Sequence, residues 1–262
     1  MNIKTSIIFS LCFTIIFISC SKDSILNYED PNNPNGNDPV FENALTDEEL
    51  MDLTQKETFK YFWNFANSDS GAARERYHPN NPDLNQNVVT TGGTGFGLMA
   101  ILVGIERGLV TRAEGTARLN KILTFFENAD RFHGAWPHWI DGGTGHVIPF
   151  GIKDNGGDLV ETAFLVQGLI CVKEYFKNGS TEEKALSALA DNLWKGVEWN
   201  WYTQNQDALY WHWSPNYGFD INFKLVGYNE TLISYVLAAA SPDYNITKVA
   251  YEKGWASSGS IV

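Results

Sequence analysis

Cysteine is scarce in this 262-residue chain: Cys12, Cys20 and Cys171 are the only three. With the first two lost to cleavage and to lipid, as argued below, no intrachain disulfide can form. Cys171 lies inside an apolar run and reads as a small buried residue rather than a nucleophile. Positive charge is also short. Nineteen Lys and Arg stand against 31 Asp and Glu, a formal charge of −12 that becomes −13 without Lys4, and no basic run offsets it. That argues against nucleic acid or an anionic membrane surface as a partner. The five histidines, at 78, 133, 138, 146 and 212, form no His-Glu-x-x-His or comparable helical pair, so no metal is expected. No cofactor is expected either. Thr90-Thr-Gly-Gly-Thr-Gly-Phe-Gly97 resembles a phosphate loop but lacks the Lys-Ser/Thr ending and a preceding buried strand. Its glycines suit a tight turn and a close backbone approach. Charged residues make up only 19% of the chain, while nine Trp raise its aromatic content. A neutral, polyhydroxylated ligand fits that balance better than a charged one.

Long apolar runs are missing as well. Ile7 to Ile18 is the leading candidate, preceded by Lys4, and it is too short for a convincing membrane span. Residues 1–19 therefore read as a signal peptide. Phe17-Ile18-Ser19-Cys20 resembles a bacterial lipobox, with cleavage before Cys20 and lipid added to its sulfur; an ordinary secretory signal cut nearby is the alternative. Ser21-Lys22-Asp23 resembles the short acidic tag that sends Bacteroidetes lipoproteins to the outer face of the outer membrane. A surface-exposed outer-membrane lipoprotein is the expected localisation, with the membrane a partner through the anchor. Residues 20–44, rich in Asn, Pro and Asp, read as a flexible tether. The folded domain is expected over 45–262.

Capping-box patterns open three helices, at Thr46-Asp-Glu-Glu49, Thr111-Arg-Ala-Glu114 and Ser180-Thr-Glu-Glu183. The pattern predicts helices over 46–66, 94–108, 111–128, 158–177, 180–201 and 228–240, with Gly- and Trp-rich loops between that leave room for short strands. The helices alternate in character. Those from 46, 111 and 180 carry mixed charge, while those from 94, 158 and 228 are apolar nearly all round and so should be buried. Glu161-Thr162 and Glu230-Thr231 recur 69 residues apart (230 minus 161), and Thr94 begins a similar run 67 residues before Glu161. Stacked helical hairpins of an all-α toroid follow. Three hairpins fill about half of a six-hairpin ring. Truncation, or closure by self-association, is therefore expected.

Chemistry concentrates where the apolar helices begin. Asp154, Asp158 and Glu161 are spaced by four and three, but Gly156-Gly157 places Asp154 in the loop that leads in. Asp158-x-x-Glu161 is equally a capping box, and Glu230 suits the dipole of a helix capped by Asn229. Structural and functional readings stand side by side for each. Two things favour function: the glutamates share one repeat position at the mouths of apolar helices, and aromatics of a sugar-binding kind lie nearby. Trp136-Pro-His138-Trp139-Ile-Asp141 and Trp211-His-Trp213 can offer flat faces to pyranose rings, with Asp141 and His138 taking hydroxyls.

Several of these motifs, in the same order, resemble one family. Thr91-Gly-Gly-Thr-Gly-Phe-Gly-Leu-Met-Ala-Ile-Leu-Val-Gly-Ile-Glu-Arg-Gly-Leu109, Trp136-Pro-His-Trp139, Asp154-x3-Asp158-x2-Glu161 and Tyr228-Asn-Glu230-Thr231 are similar to the glycoamylase-like domain, which includes the β-1,2-glucanases of glycoside hydrolase family 144. The resemblance implies an (α/α)6 toroid that hydrolyses β-1,2-glucan with inversion. It implies Glu230 as the leading general acid, with Asp154, Asp158 and Glu161 lining the pocket to orient substrate or water. Family domains run well beyond Val262. The alternative class is a surface glycan-binding lipoprotein without catalysis.

Overall fold

The computed structural model describes residues 45–260. The signal peptide, the lipidation site Cys20 and the tether lie outside the described residues. Of the described residues, 47–260 form one compact unit.

Within the compact unit the order is α1 (Asp47–Trp63), β1 (Val88–Thr90), α2 (Thr91–Glu106), α3 (Arg112–Asn128), β2 (Trp139–Asp141), β3 (Val147–Ile148), β4 (Gly157–Asp158), α4 (Leu159–Phe176), α5 (Thr181–Lys195), β5 (His212–Trp213) and α6 (Leu232–Ala240). A one-turn π-helix follows at Ala250–Trp255. Among the described residues no helix is long and apolar enough to cross a membrane.

Local chemistry explains the helix starts. Thr111 and Ser180 make complete capping boxes with Glu114 and Glu183, each side chain answering the other's backbone N–H. Such a cap contributes about 1 kcal/mol by satisfying donors the helix leaves orphaned. The mixed-charge helices α3 and α5 lie outside; the apolar α2 and α4 pack face to face, and α4 also meets α5 and α6. Glycine sets the closeness of that central contact. A Cβ on Gly95 of α2 would fall 2.1 Å from the Phe164 carbonyl oxygen of α4, and one on Gly168 would fall 2.4 Å from the Gly95 oxygen. The expected turn of glycines at 92–97 is therefore corrected. They form the first two turns of α2, and they serve the close approach of two helices.

Two further boundaries differ from expectation. The fifth helix stops at Lys195 rather than 201, since the chain turns at Gly196 into a short 3-10 segment, Trp201–Thr203. The last begins at Leu232, not 228, because Asn229 Oδ1 accepts the Thr231 amide (3.0 Å) and hydroxyl (2.6 Å) hydrogens in a local turn. Glu230 thus precedes its helix and is exposed. Short antiparallel strands fill the loops, in the order β1-β2-β3 and, separately, β4-β5. Phe96 and Val103 of α2 and Leu232 and Val236 of α6 remain exposed.

Candidate active site

The strand β1 runs straight into α2, and β4 straight into α4, so the two sheets carry side chains to the first turns of these inner helices. Asp158 closes β4 and is 1% exposed. Its Oδ1 accepts the Val160 and Glu161 amide hydrogens, both at 2.9 Å, as a helix cap should. Its Oδ2 lies 3.0 Å from His138 Nδ1. The same carboxylate therefore caps α4 and holds an imidazole.

The second half of the expected box is absent. The Asp158 amide donates to the Trp136 carbonyl (2.9 Å), and Glu161 turns away to α2. There its Oε2 accepts the Gly92 amide hydrogen at 2.8 Å and the Thr90 hydroxyl hydrogen at 3.0 Å. Gly92 offers one of the unpaired N–H groups at a helix start, a natural anion seat. A side chain there would collide, since its Cβ would fall 2.7 Å from Glu161 Oε2. Burial raises the Glu161 pKa above the ordinary carboxylate value, and the Asp158 charge adds to this; His138, the Gly92 amide and the Thr90 hydroxyl pull the other way.

His138 is about a quarter exposed. Burial would lower its pKa, but the Asp158 hydrogen bond and the charges of Asp158, Glu161 and Asp154 outweigh it and raise the value. Its ring lies 4.3 Å from Phe150 and 5.9 Å from Trp139, centre to centre, and Trp139 meets Phe150 at 4.7 Å and 67°. Asp154 stands in the loop, as expected, 6% exposed. Its Oδ1 is 3.2 Å from His212 Nε2. Three carboxyls, an imidazole and two partly exposed aromatic rings thus converge.

The remaining candidates are placed otherwise. Trp136 is fully buried, with its indole N–H donated to the Phe126 carbonyl (2.9 Å) and the Arg131 guanidinium 4.0 Å over its ring. It is a core residue and cannot face a sugar. Asp141 Oδ1 accepts from the Gly143 amide, the Thr144 amide and the Thr144 hydroxyl, all within 3.1 Å, so it ties the β2–β3 turn. Trp211 packs on Phe223, and Trp213 joins a separate cluster with His133 and Trp201. Successive strand residues point to opposite sides, which sends His212 to Asp154 and its Trp neighbours elsewhere. Among the described residues no hydrogen bond or ion pair links Glu230 to the cluster. Phe150 and the site roles of His212, Thr90 and Gly92 were missed by sequence reasoning. His212 sits between two singled-out Trp, and Thr90 and Gly92 lie in the glycine-rich segment singled out for a close backbone approach.

No family model matches the chain. It is 52% identical over 216 residues to an exo β-1,2-glucooligosaccharide sophorohydrolase (non-reducing end) of Parabacteroides distasonis, covering 81% of this chain and 29% of that protein. Among solved structures, an endo-β-1,2-glucanase from Chitinophaga pinensis, in complex with sophorotriose and glucose, matches with a TM-score of 0.81 and 57% identity, over 83% of this chain and 52% of that one. A β-1,2-glucanase from Parabacteroides distasonis matches with a TM-score of 0.77 and 50% identity, over 82% and 30%. The fold is therefore that of the α/α-toroid glucanases, as the sequence motifs implied. The chain is a homologue of β-1,2-glucanases and spans about half, or less, of the length of these relatives.

Proposed function

We propose that this chain carries the carboxylate-bearing part of a glycoside hydrolase acting on β-1,2-glucan with inversion. The observation that supports this best is the convergence of Asp154, Asp158 and Glu161 on His138, beside Trp139 and Phe150. Inverting hydrolysis needs a proton donor on one side of the glycosidic bond and a carboxylate-activated water on the other, about 6.5–9.5 Å apart. Glu230 is the proposed donor. What supports this assignment is the resemblance of Tyr228-Asn-Glu230-Thr231 to the family motif, since the carboxyl itself is exposed and outside the hydrogen bonds of the cluster among the described residues. Asp154 and Glu161 orient sugar hydroxyls and water, Asp158 acts through the His138 ring it holds, and Trp139 and Phe150 offer ring faces.

Reducing-end release from β-1,2-glucan, with β-1,3- and β-1,4-glucans as controls, tests the reading. Glu230→Gln should lower turnover by about 10²-fold or more while changing stability by no more than about 0.5 kcal/mol. Unchanged turnover would remove Glu230 from the mechanism. Because the chain spans only part of its relatives, a second reading stands beside the first: a glycan-binding lipoprotein. It predicts tight oligosaccharide binding with no cleavage.

We further propose a lipid anchor on Cys20 and a place at the outer-membrane surface, supported by the Phe17-Ile-Ser-Cys20 pattern. Cys20→Ala should move the protein from the membrane to the soluble fraction. Continued sedimentation with membranes would contradict the anchor.

A further inference from the structure

Trp213 and the rings around it have no task in the reading above. β4 and β5 form a two-stranded ribbon in which Asp158 pairs with His212 and Gly157 with Trp213. Paired residues share a side and successive ones alternate, so Asp158 and His212 stand on one side and Trp213 on the other. There Trp213 meets His133 edge to face (4.6 Å, 90°) and Trp201 at 6.3 Å and 77°. The Trp201 indole lies nearly parallel to the His133 ring, 3.7 Å away at 14°, and is still 42% exposed. Two rings thus hold an exposed indole in one orientation.

The turn that supplies His133 is not built for ease of folding. Phe132 and Ala135 exchange both backbone hydrogen bonds (2.8 and 3.1 Å) around two residues with positive φ, +48° at His133 and +76° at Gly134. Asn-Gly is the preferred pair for such a turn, and a left-handed histidine carries strain. The ring placed there meets Glu198 Oε2 through Nδ1, at 3.0 Å. Both side chains are partly exposed, and among the described residues the second Glu198 oxygen and His133 Nε2 enter no further hydrogen bond. An indole bordered by a carboxyl oxygen and an imidazole nitrogen suits a neutral sugar, with C–H groups against the ring and hydroxyls on the polar atoms.

We propose that Trp201, with His133 and Glu198, is a second sugar-binding site, which holds an outlying glucose unit of the β-1,2-glucan chain bound in the pocket across the ribbon. The inference rests on the glucan reading. Trp213 fixes the indole from behind.

Affinity electrophoresis of the full chain through gels containing β-1,2-glucan tests this, beside calorimetric titration of sophorotriose and a melting temperature for every variant. Trp201→Ala should weaken retention by glucan about fivefold and leave sophorotriose affinity within about twofold of wild type. His133→Asn should weaken retention similarly without loss of melting temperature, because Asn-Gly is the preferred pair for this turn. Unchanged retention in both variants would overturn the proposal. So would an equal loss of sophorotriose affinity, which would put Trp201 in the first pocket, or a loss of retention only in step with melting temperature, which would make the rings a structural support. Wild-type protein that binds neither sophorotriose nor glucan overturns the glucan reading and this inference with it; sophorotriose binding beside retention that ignores Trp201 overturns the inference alone.

Discussion

Glu161 Oε2 accepts the amide hydrogen of Gly92 at 2.8 Å, joining the first turns of two inner helices across 69 positions of sequence. The bond requires glycine at 92, because the carboxylate occupies the space a Cβ would take.

The first prediction concerns the charge of that acid. Its folded pKa lies above the ordinary 4.5, chiefly through burial. Ionisation is therefore harder in the fold than in the unfolded chain. Its contribution favours folding in full below pH 4.5 and is lost as pH rises through the raised folded value. Glu161→Gln cannot ionise, and its amide oxygen can still accept from Gly92. The variant should melt with wild type near pH 4 and above it at pH 7, while glucan affinity falls. A melting-temperature difference that does not grow with pH would mean that burial does not strain this carboxylate.

The α2–α4 contact gives a second prediction. Gly95→Ala pushes a methyl group into the backbone of Phe164, 2.1 Å away, and neither helix backbone can yield as a flexible side chain would. The loss of stability should be about 3 kcal/mol or more, at the upper end for overpacking. Gly108→Ala meets nothing within 4 Å but sits at a φ of +66°, so backbone strain alone should make its cost smaller, about 1 kcal/mol. Denaturant unfolding of both variants checks the order, and equal losses would contradict the account of close helix packing.

A third prediction separates two tryptophans of one loop. Trp136→Ala should cost about 3–5 kcal/mol, since it empties a fully buried site, removes the ring beneath the Arg131 guanidinium and takes the indole donor from the Phe126 carbonyl. Trp139→Ala should leave most of the stability intact and weaken oligosaccharide binding, because that ring stands partly exposed against Phe150. The comparison needs only thermal melts and titrations. Normal affinity in Trp139→Ala would remove it from the sugar site.

These two residues also show what could be read from the chain in advance. Apolar-all-round runs and capping boxes announced α2 through α5, because helix periodicity and orphan N–H groups are local properties. The direction in which a Trp faces is not local. Trp136 and Trp139 share one motif, and only packing against Phe126 of α3 and the Arg131 guanidinium decides that the first is core. Asp158 was legible as a cap but not as the partner of His138, since a carboxylate has two oxygens and sequence indicates a partner for one. Glu161 carried two readings, capping-box glutamate and pocket carboxylate, and the bond to Gly92, 69 residues away, rules out the first; of the turn and close approach expected of these glycines, the close approach is what the fold uses. The start of α6 slipped because Asn229 closes a local turn on Thr231 where a helix cap was expected.

The measurement that bears most directly on the central claim is a calorimetric titration of sophorotriose into this chain, beside cellotriose and laminaritriose. A site for β-1,2-linked glucose built on Asp154, Asp158, Glu161 and His138 predicts saturable binding of sophorotriose, far weaker binding of the other two, and loss of the signal in Glu161→Gln. Indifference to linkage, or full binding in Glu161→Gln, would contradict it.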